Sequence, residues 1–272
     1  MTTRTTLVVA ALAASTLGCH VVVADIGCSH TAPREATLDA AGATRLVIDA
    51  GAGSLDVRGV SGAAEVRASG TACASRESIL DQVRLVAERR GDALYLEARF
   101  PERFSGNAAL DFEVEAPAGL AVEIEDGSGS ITVRGVAALS LRDGSGEIEV
   151  SDVRGAVTIE DGSGEIELLG IGAAVAIEDG SGAIDLRGIG GRITIEDGSG
   201  EITIRDADGD VIVDEDGSGS IEVTGVGGSV LVREDGSGSI RVEDVRGDFT
   251  VERDGSGGIS SANVDGRVSI PD

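Results

Sequence analysis

The chain has 272 residues, with 48 aspartates and glutamates against 22 basic residues, all of them arginine, for a net charge of −26. That balance argues against nucleic acid as a partner, since phosphate binding rests on clustered Lys and Arg. With no Trp and Tyr95 as its one tyrosine, the chain also lacks the usual aromatic platforms for sugars and bases, so an ordinary lectin groove is not expected.

In chain order, the first 24 residues read as a signal peptide. Arg4 supplies a positive start, residues 7–17 an apolar core too short to span a bilayer, and Val22-Val23-Ala24 a small-residue cleavage site before Asp25. Thr16-Leu17-Gly18-Cys19 offers a competing reading, a lipobox that would leave Cys19 lipidated and the protein anchored to a membrane. A lipobox usually has Leu three residues before the Cys; Thr16 stands there, which favours cleavage after Ala24. Either route exports the chain, to a periplasmic or extracellular location or to a lipid anchor. In such an oxidising compartment Cys28 and Cys73 are expected to form a disulfide. Closing a loop of about 46 residues stabilises by about 4 kcal/mol on chain-entropy grounds.

Residues 25–125 are expected to form a degenerate β cap. Ala50-Gly51-Ala52-Gly53-Ser54-Leu55-Asp56-Val57-Arg58-Gly59-Val60 has the outline of one coil with Ala in place of the turn Asp, and residues 111–114 with 120–125 that of another. Between them, Val83, Leu85 and Ala87, then Leu94, Leu96 and Ala98, alternate across Arg89-Arg90-Gly91-Asp92, the pattern of an antiparallel hairpin.

Residues 126–270 are an array. Asp-Gly-Ser-Gly occurs eight times, starting at Asp126, Asp143, Asp161, Asp179, Asp197, Asp216, Asp235 and Asp254, at spacings of 17 to 19 residues. Aligned copies carry apolar residues in columns: Ile166, Leu168, Ile171, Val175 and Ile177 recur as Ile184, Leu186, Ile189, Ile193 and Ile195. Alternation within each pair, rich in β-branched residues, predicts two short strands per repeat with one face buried. Gly-rich corners join them, one the Asp-Gly-Ser-Gly and the other looser, as at Asp152-Val153-Arg154-Gly155. One repeat buries almost nothing alone, so the repeats must stack. The fold class is therefore all-β, a parallel β-solenoid of about 18–19 residues per coil, right-handed by the usual rule for parallel connections.

Stacking puts the eight Asp carboxylates in one row, where neighbours about 4.8 Å apart repel. In the simpler reading each Asp accepts backbone N–H bonds from the following Gly and Ser in an Asx-turn. In the alternative, calcium bridges the row formed by these same eight residues. The calcium-binding nonapeptide rolls have coils of similar length, but their Asp follows Gly-x-Gly, whereas here it precedes it. No other metal ligation is expected, His20 and His30 being the only histidines. No catalytic constellation is expected either: the repeat serines lack a nucleophile elbow and a base. Gly170-Ile171-Gly172 precedes no helix that could meet a phosphate, and Arg90-Gly91-Asp92 and Arg246-Gly247-Asp248 read as turn sequence.

The repeated Gly-Ser-Gly-x-Ile-x-Val with its Gly-x-Val-x-Ile half, the Ala116-Pro117-Ala118-Gly119-Leu120 lead-in, and Cys28-Ser29-His30-Thr31-Ala32-Pro33-Arg34 with Cys73-Ala74-Ser75 resemble the bacterial "putative adhesin" solenoid family. That is a domain family of unknown function; the head domain of auto-transporter adhesins is a more distant likeness. The resemblance spans residues 28–270 and implies a right-handed parallel β-helix at the cell envelope, with no catalytic residues and no cofactor to carry over. The expected function is accordingly that of a non-enzymatic envelope or surface scaffold, an adhesin or interaction protein. Its partner would be an envelope or surface protein or a glycan, or the membrane through an anchor at Cys19. The alternatives are a calcium-binding structural solenoid and, third, a polysaccharide-acting β-helix enzyme, which would need converging carboxylates in place of an even row.

Overall fold

The computed structural model describes residues 28–271, so the expected leader, the expected cleavage site and Cys19 lie outside the described residues. Twenty-four strands form two twelve-stranded sheets whose inner faces share one apolar core. From Asp126 onward the chain alternates between the sheets, one strand to each per repeat, and the coils stack as a parallel β-solenoid of about eight turns.

The sequence columns are the ladder register. In the first sheet Ile131 pairs Ile148, and Ile166, Ile184, Ile202, Ile221, Ile240 and Ile259 follow one coil at a time. In the second, Leu139, Val157, Val175, Ile193, Val211, Val230 and Phe249 stand in register, as do Leu141, Ile159, Ile177, Ile195, Val213, Val232 and Val251. Like stacks on like because each coil returns the chain to its starting point one strand spacing, about 4.8 Å, further along. β-Branched side chains suit such a column, since one stiff rotamer repeats at every rung.

At the N-terminal end the stacking order departs from chain order. The strands there are β1 (His30–Asp39), β2 (Arg45–Ala52), β3 (Leu55–Val60), β4 (Glu65–Ala74), β5 (Arg84–Arg90), β6 (Ala93–Arg99), β7 (Ala108–Pro117), β8 (Ala121–Ser128) and β9 (Ile131–Arg134), with a short helix α1 (Glu77–Leu80) after β4. β2 and β3 make the coil on which β8 and β9 stack directly, with Leu46 beside Val122 and Leu55 beside Ile131. β6 and β7 make a coil on the other side of it, with Leu46 beside Leu94 and Leu55 beside Phe112. The β2–β3 coil is thus held between two coils that follow it in sequence. Antiparallel strands then close the end: β1 and β4 beyond β7, and β5 beyond β6 in the hairpin around Gly91 and Asp92. Both outer strands carry features that discourage further pairing, Pro33 and Arg34 in β1 and Arg84, Arg89 and Arg90 in β5.

Two links tie this cap together. Cys28 and Cys73 are disulfide-bonded, with their Cα atoms 5.6 Å apart, fastening the start of the described chain to the end of β4. Arg34 donates to the carbonyls of Leu80 at 2.8 Å and Val83 at 2.7 Å, holding α1 and the strand after it against β1.

Ile184 is buried in the middle of its column. Ile184→Asp puts an unpaired charge among these rungs and should cost about 4 kcal/mol or more. A urea-denaturation midpoint unchanged by this substitution would contradict an inward-facing column.

Candidate functional site

The Asp-Gly-Ser-Gly corner is built by backbone contact. The amide of the second glycine donates to the serine carbonyl of the next coil, as from Gly164 to Ser181 and Gly182 to Ser199, both at 2.9 Å. The first glycine donates to the Asp carbonyl of the preceding coil, as from Gly180 to Asp161 at 3.0 Å and Gly198 to Asp179 at 2.9 Å. These bonds draw the corners together so closely that a Cβ on Gly182 would lie 1.5 Å from the carbonyl oxygen of Gly164. Gly182 also has φ of +147°, which side-chain-bearing residues rarely adopt. The second glycine of the motif is therefore fixed by space as well as by torsion.

The aspartate before it faces inward. In Val175–Asp179, Val175, Ile177 and Asp179 are buried and alternate with exposed Ala176 and Glu178, so the carboxylate continues the inward column. Asp143, Asp161, Asp179, Asp197, Asp216, Asp235 and Asp254 stand in register from coil to coil, with Asp126 at the N-terminal end of the row. Asp126, Asp143 and Asp161 are 8% exposed, Asp179 7%, Asp197 3%, Asp235 2% and Asp216 0%. From Asp126 to Asp235 the row is an internal spine and not an exposed edge, and Asp254 at its end is half-buried.

The Asx-turn expectation holds for part of this spine. Asp179 accepts from the Ser181 amide at 3.1 Å, Asp197 from Ser199 at 3.0 Å, and Asp143 from Gly144 at 2.7 Å, each through Oδ1. Their Oδ2 atoms have no partner, and at Asp126, Asp161, Asp216 and Asp235 neither oxygen has one. Most first-glycine amides are engaged with the preceding coil, so Asp179 and Asp197 reach the serine amide instead. Burial, with repulsion from neighbouring aspartates second, pushes Asp126 and Asp216 up to about 7 and Asp161 and Asp235 up to about 6. Burial also raises Asp143, Asp179 and Asp197 against the opposing pull of their backbone donors.

Outside the same strands runs a row of solvent-facing groups. Glu125, Arg142, Glu160, Glu178, Glu196 and Glu215 succeed one another in register, and from Arg142 on they line a shallow groove of about 550 Å³ whose floor includes the corner glycines and the edges of Asp143, Asp161, Asp179 and Asp197. Arg142 grips Glu160 through two bonds, at 2.7 and 2.9 Å, and Arg253 pairs with Glu234 nearer the far end. Glu178, Glu196 and Glu215 have no ion-pair partner among the described residues. The sequence shows a Glu before most motif aspartates and an Arg before the other two, Arg142 and Arg253; the ion pairs that these arginines make with the neighbouring coil appear only in the stack.

The looser corner holds a column that the sequence reading passed over. Asp152, Gly170, Gly188, Asp206, Gly225, Asp244 and Asn263 all have φ between 54° and 76°. Only Gly, Asp and Asn occur there, the residues that accept the left-handed region most readily. Their spacing of 18 to 19 residues was the available signal. The two Arg-Gly-Asp turns are internally engaged: Arg90 lies 4.6 Å over the Tyr95 ring and pairs with Glu88, Asp92 accepts from Thr44, and Asp248 accepts from the Arg267 amide.

Calcium fits this spine poorly. Ca²⁺ takes six to eight oxygens, whereas a single file of carboxylates offers two at any level, among apolar columns. Among the described residues no three His, Cys, Asp or Glu side chains gather as they would around a metal ion.

No protein-family model matches the sequence, and no curated protein matches it. Several solved bacterial structures are similar along the chain. One from Parabacteroides distasonis, described as a putative lipid binding protein, is 17% identical with a TM-score of 0.49, covering 90% of this chain and 98% of its own. One from Clostridium sporogenes, described as a putative cell adhesion protein, is 14% identical with a TM-score of 0.29, covering 89% and 99%. One from Bacteroides fragilis, described as a putative adhesin, is 12% identical with a TM-score of 0.31, covering 90% and 99%. They include proteins described as adhesins, the kind whose repeat the sequence resembles. At these identities and TM-scores none of their described roles passes to this chain.

The corner geometry makes a sharp distinction between adjacent residues. Gly182→Ala should destabilise by about 3 kcal/mol or more, because the new methyl meets backbone that cannot yield. Ser181→Ala should stay within about 0.5 kcal/mol. Equal urea midpoints for the two variants would contradict the close approach.

Proposed function

We propose that this chain is a non-enzymatic, exported scaffold of the cell envelope or surface that binds cationic partners along its acidic groove. The observation that carries the reading is the run of Glu178, Glu196 and Glu215, solvent-facing carboxylates in register with no arginine between them. Repetition at the coil pitch suits many weak, identical contacts, whose sum exceeds any one of them. A negative potential over a long flat face also steers a positively charged partner into place.

Export is supported by the Cys28–Cys73 disulfide, a bond that persists in oxidising compartments, together with the leader expected from residues 1–24. The non-enzymatic reading is supported by the even spread of acidic residues along the rod, which brings no acid and base together around a single reacting centre.

Binding of the full chain to an oligo-arginine peptide on a sensor surface tests this reading. Three exposed contacts of about 0.5 kcal/mol each make roughly a tenfold change, so Glu178→Gln, Glu196→Gln and Glu215→Gln together should weaken binding about tenfold. Affinity should also fall as salt is raised. Binding that ignores both the triple substitution and the salt would exclude the groove as the contact surface.

A further inference from the structure

A column of like charges buried between apolar columns needs a positive counterpart, and the protein supplies none. The charged groups acting on each spine carboxyl are the aspartates of adjacent coils, with Asp49 of β2 added at Asp126, and the backbone amides of the corner that follows exert only a weaker opposing pull. The inward positions of the facing sheet, Ile131, Ile148, Ile166, Ile184, Ile202, Ile221 and Ile240 among them, are buried and carry no charge. Glu125, Arg142, Glu160, Glu178, Glu196, Glu215, Glu234 and Arg253 stand on the opposite, solvent face of the same strands. Neither sheet therefore brings an arginine to the buried oxygens, and the ligand count excludes calcium as a good fit.

The counterpart that fits is the proton. We propose that the internal Asp spine is a proton-sharing ladder, in which a protonated carboxyl donates its hydrogen bond to the carboxylate of the next coil, so that the solenoid is tightened by protons and loosened by their loss. Register places successive carboxyls one coil apart on one face. The Asp216 and Asp235 groups, and Asp235 and Asp254, come within reach of such a bond once one member carries hydrogen. Each shared proton gives an orphaned oxygen a donor and removes the charge–charge repulsion in that pair. Like-charged carboxyls in contact titrate as coupled groups, so the release is spread over a range of pH.

The direction of the effect follows from the raised values. Asp216 and Asp126 at about 7 and Asp161 and Asp235 at about 6 lie above the ordinary 3.8 that an unfolded chain would show. The folded form thus binds more protons than the unfolded one between those limits, so stability falls as pH rises from about 4 and levels off once pH has passed about 7. Ordinary acidic proteins gain stability over the approach to neutrality, as their carboxylates ionise. This one should lose it.

Thermal melts of the full chain at constant ionic strength are the test. The melting temperature should drop between about pH 5 and about pH 8. Asp216→Asn, which supplies its own N–H donor and no charge, should raise it by about 4 °C or more at the higher pH and leave the lower-pH value nearly unchanged. Glu196→Gln, on the outer face, serves as the control for general repulsion and should shift both values alike. Should Asp216→Asn not fold, Asp161→Asn is the second variant, and carboxyl carbon NMR of the unsubstituted chain reads the same groups directly. Spine resonances with midpoints near 6 to 7 would support the ladder. A melting temperature that is flat or rising over this range, or spine carboxyls that all titrate near the ordinary value, would overturn it. So would calcium restoring the melting temperature at the higher pH in the unsubstituted chain but not in Asp216→Asn.

Discussion

Everything in this molecule depends on the parallel backbone ladder that returns each coil onto the last at a spacing of about 4.8 Å. Once the pitch is set by hydrogen bonds, every position must be compatible with a copy of itself one rung away. Ile over Ile satisfies that condition well, since two identical β-branched side chains nest and exclude water. Glycine over glycine satisfies it at the corner, where the Gly182 and Gly164 backbones approach too closely for any side chain. Aspartate over aspartate satisfies it badly, and the spine between Asp126 and Asp254 is where the ladder works against itself.

That conflict explains why the acidic residues of the chain divide into two populations. The outer glutamates are solvated and screened, so their mutual repulsion is weak and their charge is free to meet a partner. The inner aspartates are largely withdrawn from solvent and have no cation beside them, so their charge must be resolved locally, through the serine amide where it reaches and, on the ladder proposed above, through a proton where it does not. One strand such as Val175–Asp179 carries both populations, Glu178 outward and Asp179 inward, a separation that follows from period-two alternation alone.

Much of this was readable before any coordinates. The columns through Ile166, Leu168, Val175 and Ile177 could only be inward faces of stacked strands, and the ladders pair those residues with their counterparts as expected. The buried place of the aspartates was implied by the same parity, because Asp179 follows Val175 and Ile177 in step; the habit of placing charge at the surface hid it. The order of the N-terminal coils was not readable. A parallel neighbour can come from any later part of the chain, and nothing in residues 93–117 says that they stack beyond the β2–β3 coil while residues 121–134 stack on its other face. The left-handed column of the looser corner was visible only as a loose run of Gly, Asp and Asn, which any turn might show.

If coil-on-coil register is the governing constraint, the array should tolerate the loss of a whole coil far better than the loss of one residue inside a strand. Removing residues 162–179 deletes one complete 18-residue repeat and rejoins Asp161 to Gly180 in phase. Removing Asp185 alone takes away an outward-facing side chain yet turns the rest of its strand inside out. Circular dichroism melts of the two deletions compare them directly. The account predicts a cooperative β-sheet transition for the eighteen-residue deletion, lowered by the loss of one coil's contacts, and a collapse of that transition for the single-residue deletion. A single-residue deletion that melts like the intact chain, or a whole-coil deletion that does not fold, would contradict it.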